Sequence, residues 1–278
     1  MTPVHRQEPA PGDQQLEPEI DARTYTPTPE AFADRVILVT GASGGIGAAL
    51  ALACSSVGAR VVLSGRNVRR LEATYDAIIA AGGPRPSIAP LDLERADASH
   101  YTALADAVRS EFGRLDGLAH LAGQLGELAP VEHYDVVTWL RVMHVNVNAA
   151  FILTQSLLPL LRTSQDGSIV FTTSGVSVRG RAYWGAYAAS KFALEGLTQV
   201  LADETDTLTK IRVNSVNPGK VRTAMRAKAY PGEDAAGVPL PAVVLPTYLY
   251  LLGSASQGVT GRRFDAQGAR PDAPERAT

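Results

Sequence analysis

Disulfide chemistry is closed to this chain, which has one cysteine, Cys54, in 278 residues. A lone thiol has no internal partner, which fits a reducing compartment, and Cys54 reads as a small helix-packing residue. An excess of one charge is missing too. A net charge of −2 argues against a dedicated nucleic-acid binder. No apolar run approaches the ~20 residues that span a bilayer, and the nearest, Ala242 to Leu252, is broken by Pro246. The first residues lack the apolar core of a secretory signal, so a cytoplasmic location and no membrane partner are expected. Lysine is scarce, with four (Lys191, Lys210, Lys220, Lys228) beside nine tyrosines.

Hydrophobic residues make up 45% of the chain, enough for a sizeable core. Residues 1–32 are rich in proline and poor in large apolar groups. Such a segment cannot offset its ordering entropy, which predicts a disordered or draped tail, with Tyr25 to Phe32 docking onto the body. The folded domain is expected over 33–268, with a short tail over 269–278.

Within that domain strands and helices alternate. Buried-strand patterns cover Arg35–Thr40, Arg60–Leu63, Ser87–Leu91, Asp116–His120, Ser168–Thr173, Ile211–Val216 and Arg263–Asp265. Helical patterns lie between them, including a long one over Asp135–Leu161 and another over Tyr187–Thr207. This alternation predicts a single-domain α/β fold, a Rossmann-like doubly wound parallel sheet of about seven strands with helices on both faces. Ligands of such sheets bind beyond the carboxyl ends of the strands.

The loop after the first strand reads TGASGGIG from Thr40 to Gly47. Gly41 permits a tight turn, Gly45 a close approach of backbone to a pyrophosphate, and Gly47 the packing of helix on sheet. The free N–H groups of a helix starting at Ile46 would face the phosphates. Arg66, after the second strand, offers a planar cation for the 2′-phosphate of NADP where an NAD site carries an acid. Asp92 follows the third strand and either accepts from an adenine amino group or caps the next helix.

Tyr187 and Lys191 are four residues apart and share a helical face. An ammonium within about 4–6 Å lowers a phenol's pKa by roughly 1–3 units from about 10. Such a tyrosine exchanges protons with a carbonyl or alcohol near neutrality. Chance alone supplies roughly 0.13 such pairs in a chain of this composition, so a helical surface pair is the plainer reading until other motifs are weighed.

Together TGASGGIG, Ser174 and Tyr-Ala-Ala-Ser-Lys resemble the short-chain dehydrogenases/reductases from about Arg35 to Gly268. The resemblance implies Tyr187, Lys191, Ser174 and Asn146 as catalytic groups, with Asn146 in HVNVNAAF preferred to Asn148 by register. It implies that Gly41, Ser43, Gly45, Ile46, Gly47, Arg66, Asn67, Asp92, Leu93, Ala122, Gly123, Tyr187, Lys191, Pro218, Val221 and Thr223 bind the cofactor. NADP(H) is expected, with NAD(H) possible. No metal is called for. Implied also are a small carbonyl or alcohol substrate and a homodimer or homotetramer. In the implied mechanism hydride passes between nicotinamide and a carbonyl carbon, Tyr187 moves the proton, and Asn146 holds a water feeding Lys191. One motif departs, because His120-Leu121-Ala122-Gly123 stands where most members have Asn-Asn-Ala-Gly. A bacterial subgroup of YciK type shares that histidine, and His120 and His144 read as satisfied core residues. The expected substrate walls are Gln124–Glu127, Val176–Trp184 and a lid over 224–240. Trp184 and Tyr183 could line an apolar pocket, and Arg179, Arg181 and Arg222 could meet an anion. A non-catalytic nucleotide-binding regulator is the competing class, disfavoured by the intact Ser174, Tyr187 and Lys191.

Overall fold

The chain is described by a computed structural model over residues 20–206 and 209–268. Of the tails expected over 1–32 and 269–278, residues 1–19 and 269–278 lie outside the described residues. Seven parallel strands form one sheet: β1 (Val36–Thr40), β2 (Arg60–Gly65), β3 (Ser87–Pro90), β4 (Gly117–His120), β5 (Ser168–Thr172), β6 (Arg212–Asn217) and β7 (Arg263–Asp265). Their spatial order is β3-β2-β1-β4-β5-β6-β7. The order reverses between β1 and β4, where Thr40 pairs with His120, and a crevice opens there.

Helices α1 (Gly45–Ser56), α2 (Val68–Ala80) and α8 (Leu245–Leu252) cover one face, and α3 (Ala98–Phe112), α5 (Ala149–Leu161) and α6 (Gly185–Asp206) the other. Both faces of β1 are therefore buried, as its run of β-branched residues requires. Two short helices, α4 (Val136–Met143) and α7 (Ala224–Ala229), complete the set.

Three sequence expectations need correction. The run Ala242–Leu252, given no element from sequence, ends in helix α8, whose Thr247 to Leu252 are all buried. Pro246 sits at its first turn, where its missing N–H costs nothing. Two helical stretches, Val136–Leu161 and Ala235–Leu252, are long and apolar enough by composition to cross a membrane, against the expectation of none. Leu153, Leu157, Leu160 and Leu161 of the first lie in the sheet-facing core, which accounts for that apolarity. Lastly, the docked part of the N-terminal segment, expected from Tyr25 to Phe32, starts earlier, at Ala22. Ala22 is buried, Phe32 has no exposed surface, and Tyr25 meets Tyr250 edge-on at 5.6 Å.

Candidate active site

The glycine turn is built by close backbone approaches. Gly41 (φ +71°) and Gly45 (φ +56°) adopt the left-handed region that side chains disfavour. A Cβ on Gly47 would lie 2.3 Å from the Gly41 carbonyl oxygen, and one on Gly45 would lie 3.2 Å from Thr223 Cγ2. Helix α1 begins after Gly44, and no side chain caps its free N–H groups. The Thr40 hydroxyl accepts from the backbone N–H groups of Leu121 and Ala122, both at 3.1 Å, tying the β1 turn to the loop after β4. Thr40 was missed as a positioning group, although it is the first letter of the motif.

A cavity of about 350 Å³ runs along this turn and is also lined by Ser174, Tyr187, Lys191, Pro218, Val221 and Thr223. Ser174 leaves β5 in extended conformation at the mouth of a 3₁₀ turn, Gly175–Ser177. Ser177 pins that turn, donating to the Ser174 carbonyl at 2.6 Å and to Glu195 at 2.8 Å. The Lys191 ammonium donates to the Thr172 carbonyl at 2.7 Å and lies 5.5 Å from the Tyr187 ring centre.

The electrostatics overturn one expectation. Burial pushes the Tyr187 phenol up to about 12, with the Ser174 hydroxyl pulling the other way. Burial likewise pushes the Lys191 ammonium down to about 8, partly countered by Glu195 one turn along α6. Removing both groups from water outweighs their mutual attraction. The lysine by itself does not make the phenol acidic.

Asn146 is brought to this cluster and Asn148 is not, since Asn148 faces solvent. The expected continuous helix holds a π-turn over His144–Asn148, which re-aims one side chain as such bulges do. Asn146 Oδ1 accepts from Gln124 N at 2.7 Å, while Nδ2 donates to Gln124 O and Ser190 Oγ, both at 2.9 Å. Ser190 in turn donates to the Tyr187 carbonyl at 2.7 Å.

A second cavity of about 200 Å³ shares Gly41, Ser43 and Gly123 with the first and is lined by Arg66, Asp92, Leu93 and Ala122. Asn67 lines neither; its side chain caps α2 by accepting from Arg70 N at 3.0 Å. Arg70, overlooked in the sequence, lines the glycine-turn cavity instead, one turn beyond that cap. Asp92 does not cap α3, because Asp97 does. Arg66 reaches Glu94 at 3.8 Å, and Glu94 accepts from Gln124 Nε2 at 2.8 Å.

His120 is buried, stacked on Phe171 at 4.8 Å, with Nε2 2.9 Å from Thr154 Oγ1. Thr154 gives its own proton to the Ala150 carbonyl, so the histidine must be the donor. Its partner Thr154 belongs to helix α5. Burial and the nearby Lys191 hold its pKa down at about 3. This is a satisfied neutral core histidine. Of the suggested walls, Trp184 and Leu125 line the first cavity, and Tyr183 points to solvent.

The fit to a dinucleotide is good on geometry alone. Glycines stand where a Cβ would fill the cradle, the helix start is uncapped, and a cation borders the far cavity. Comparison with known proteins agrees. The sequence profile described as short chain dehydrogenase matches residues 35–234. The chain is 48% identical over 246 residues to the uncharacterized oxidoreductase YciK of Escherichia coli strain K12, covering 88% of this chain and 97% of that one. A solved short chain dehydrogenase from Pseudomonas syringae is 52% identical with a TM-score of 0.86, over 87% of this chain and 98% of the other. Another, from Escherichia coli CFT073 in complex with NADPH, is 48% identical with a TM-score of 0.85, over 87% and 100%.

Proposed function

The chain belongs to the short-chain dehydrogenase family, and from that premise we propose that it is an NADP(H)-dependent oxidoreductase interconverting a carbonyl and an alcohol. What carries this reading is the convergence of Ser174, Tyr187 and Lys191 on the cavity that the glycine turn borders. The relative solved with NADPH, and Arg66 beside the second cavity, support NADP(H) over NAD(H).

Gly41, Ser43, Gly45, Ile46 and Gly47 would cradle the pyrophosphate, and Pro218, Val221 and Thr223 the nicotinamide end. When bound, the nicotinamide would supply the hydride and, once oxidised, a positive charge. The chain's own residues hold the substrate and move the proton. Ser174 donates a hydrogen bond to the carbonyl oxygen. Tyr187 gives its proton to that oxygen as hydride reaches the carbon, which yields the alcohol. Lys191 carries a positive charge below its pKa of about 8 and stabilises the phenolate left behind. Asn146 braces the Gly123–Gln124 turn against the helix that bears Tyr187 and Lys191, keeping the groups in register.

The exposed Val136, Val137 and Leu140 on α4, with Phe192 and Val200 on α6, form the apolar surface through which a second copy would pack. The single buried thiol, Cys54, suits a cytoplasmic setting. The test is NADPH oxidation against aldehydes, ketones and quinones, with Tyr187→Phe beside it. Loss of general acid catalysis should cost about 10²–10⁴-fold in kcat. Equal rates in the variant would remove the tyrosine from the mechanism.

A further inference from the structure

The wall of the larger cavity is aromatic from the phenol outward. Trp184 meets Tyr187 at 5.8 Å between ring centres and Tyr230 at 5.8 Å on its other side. Leu125, Met225 and Ala229 extend the same lining. Tyr230 follows α7, so part of the wall belongs to the segment over 224–240.

Four cations around Tyr230 and the 224–240 segment are engaged; Arg70, from α2, lines the cavity as well. Arg226 makes two 2.6 Å bonds to Glu233 and lies 3.7 Å over the Tyr230 ring. Arg181 donates to the Tyr230 hydroxyl at 2.8 Å. Arg222 donates to the carbonyls of Ala236 and Val238 at 3.0 and 3.1 Å. Lys228 donates to the Gly126 carbonyl at 3.0 Å. A carboxylate or phosphate seated here would meet the Glu233 charge and would have to separate a bidentate pair, the strongest kind of side-chain contact. Against that cost the wall offers the rings of Trp184 and Tyr230, and aromatic rings favour flat apolar partners.

Resting on the reductase reading of this site, we propose that the substrate is a neutral carbonyl compound carrying a ring, and that Trp184 and Tyr230 set this preference. Two of the arginines that the sequence offered to an anion, Arg181 and Arg222, instead hold the segment over 224–240.

The test compares acetophenone, 4-acetylbenzoate and butanone as substrates of the full chain with NADPH. Acetophenone should exceed 4-acetylbenzoate by about tenfold or more in kcat/KM. In Trp184→Ala and Tyr230→Ala the acetophenone-to-butanone ratio should fall about tenfold, mainly through KM, as expected for a lost ring contact. Trp184→Phe should restore most of it. Preference for the carboxylated ketone, or an unchanged ratio in both alanine variants, would overturn the proposal and leave the reductase reading intact. Turnover of no ketone would count against the reductase reading. Binding of 1-phenylethanol to the NADPH-loaded chain, followed by ligand-observed NMR, then decides the wall's role. Weaker binding in Trp184→Ala supports it, and equal binding refutes it.

Discussion

Two glycines three residues apart in one motif should answer unequally to alanine. At Gly47 a Cβ would lie 2.3 Å from the Gly41 oxygen, 2.7 Å from its carbon and 3.1 Å from Ala42 N. These are backbone atoms and cannot swing aside. Relief to about 3.0 Å needs a shift of roughly 0.7 Å. Gly41 cannot yield freely, because a Cβ placed on it would itself lie 2.9 Å from Ala122 N. Overpacking of this kind costs about 1–3 kcal/mol, and the blocked relaxation favours the upper half. Alanine returns about 1 kcal/mol through helix propensity. The net loss is therefore about 1–2 kcal/mol, or a fall in Tm of about 2–8 °C for a chain of this size. At Gly44 a Cβ meets nothing within 4 Å, and its φ of 163° is extended backbone. There a weaker N-cap and a stiffer unfolded chain nearly cancel, leaving about 0.5 kcal/mol either way. Calorimetric melting of Gly47→Ala and Gly44→Ala decides the matter, with NADPH titration of the first as a second readout. Equal Tm values for the two variants would refute the steric reasoning.

Other outcomes follow from the same geometry. Because Glu94 lies 3.8 Å from Arg66, Glu94→Gln should tighten NADPH binding and Arg66→Ala should weaken it by about tenfold; fluorescence titration showing equal shifts for NADH would exclude a phosphate contact. His120 stays neutral in the fold because its pKa is held at about 3, whereas the unfolded chain protonates near 6.5. Its contribution is thus intact above about pH 6.5 and lost as pH falls toward 3, at up to about 1.4 kcal/mol per pH unit. Urea unfolding between pH 4 and 7 should show a shallower slope in His120→Asn, and parallel slopes would refute the neutral histidine. Asn146→Ala should leave Gln124 N without its acceptor and Ser190 Oγ without its donor, costing about 1–3 kcal/mol in all. A melting point equal to that of the unmutated chain would show that the π-turn does not depend on this side chain.

The strand and helix periodicities announced the sheet because each β-branched run is long enough for only one buried strand. Arg263–Asp265 was placed to the residue. The π-turn was hidden, since HVNVNAAF carries no signal that distinguishes it from regular helix. Helix α8 was also hidden, because a short apolar run with a proline reads equally as loop, strand or helix until something covers it. Arg70 escaped notice for a related reason. Three arginines stand in Arg66–Arg70, and only the cap at Asn67 turns this one toward the glycine turn.

Residue order by itself determined the alternating parallel architecture, the glycine turn, and the one-turn spacing of Tyr187 and Lys191, for these rest on local periodicity and backbone sterics. Tertiary packing alone decided the sign of the phenol's pKa shift, the engagement of Arg181, Arg222 and Arg226 beside the aromatic wall, and the bond His120 makes. Those depend on desolvation and on partners far away in the chain, and neither quantity is written in a local pattern.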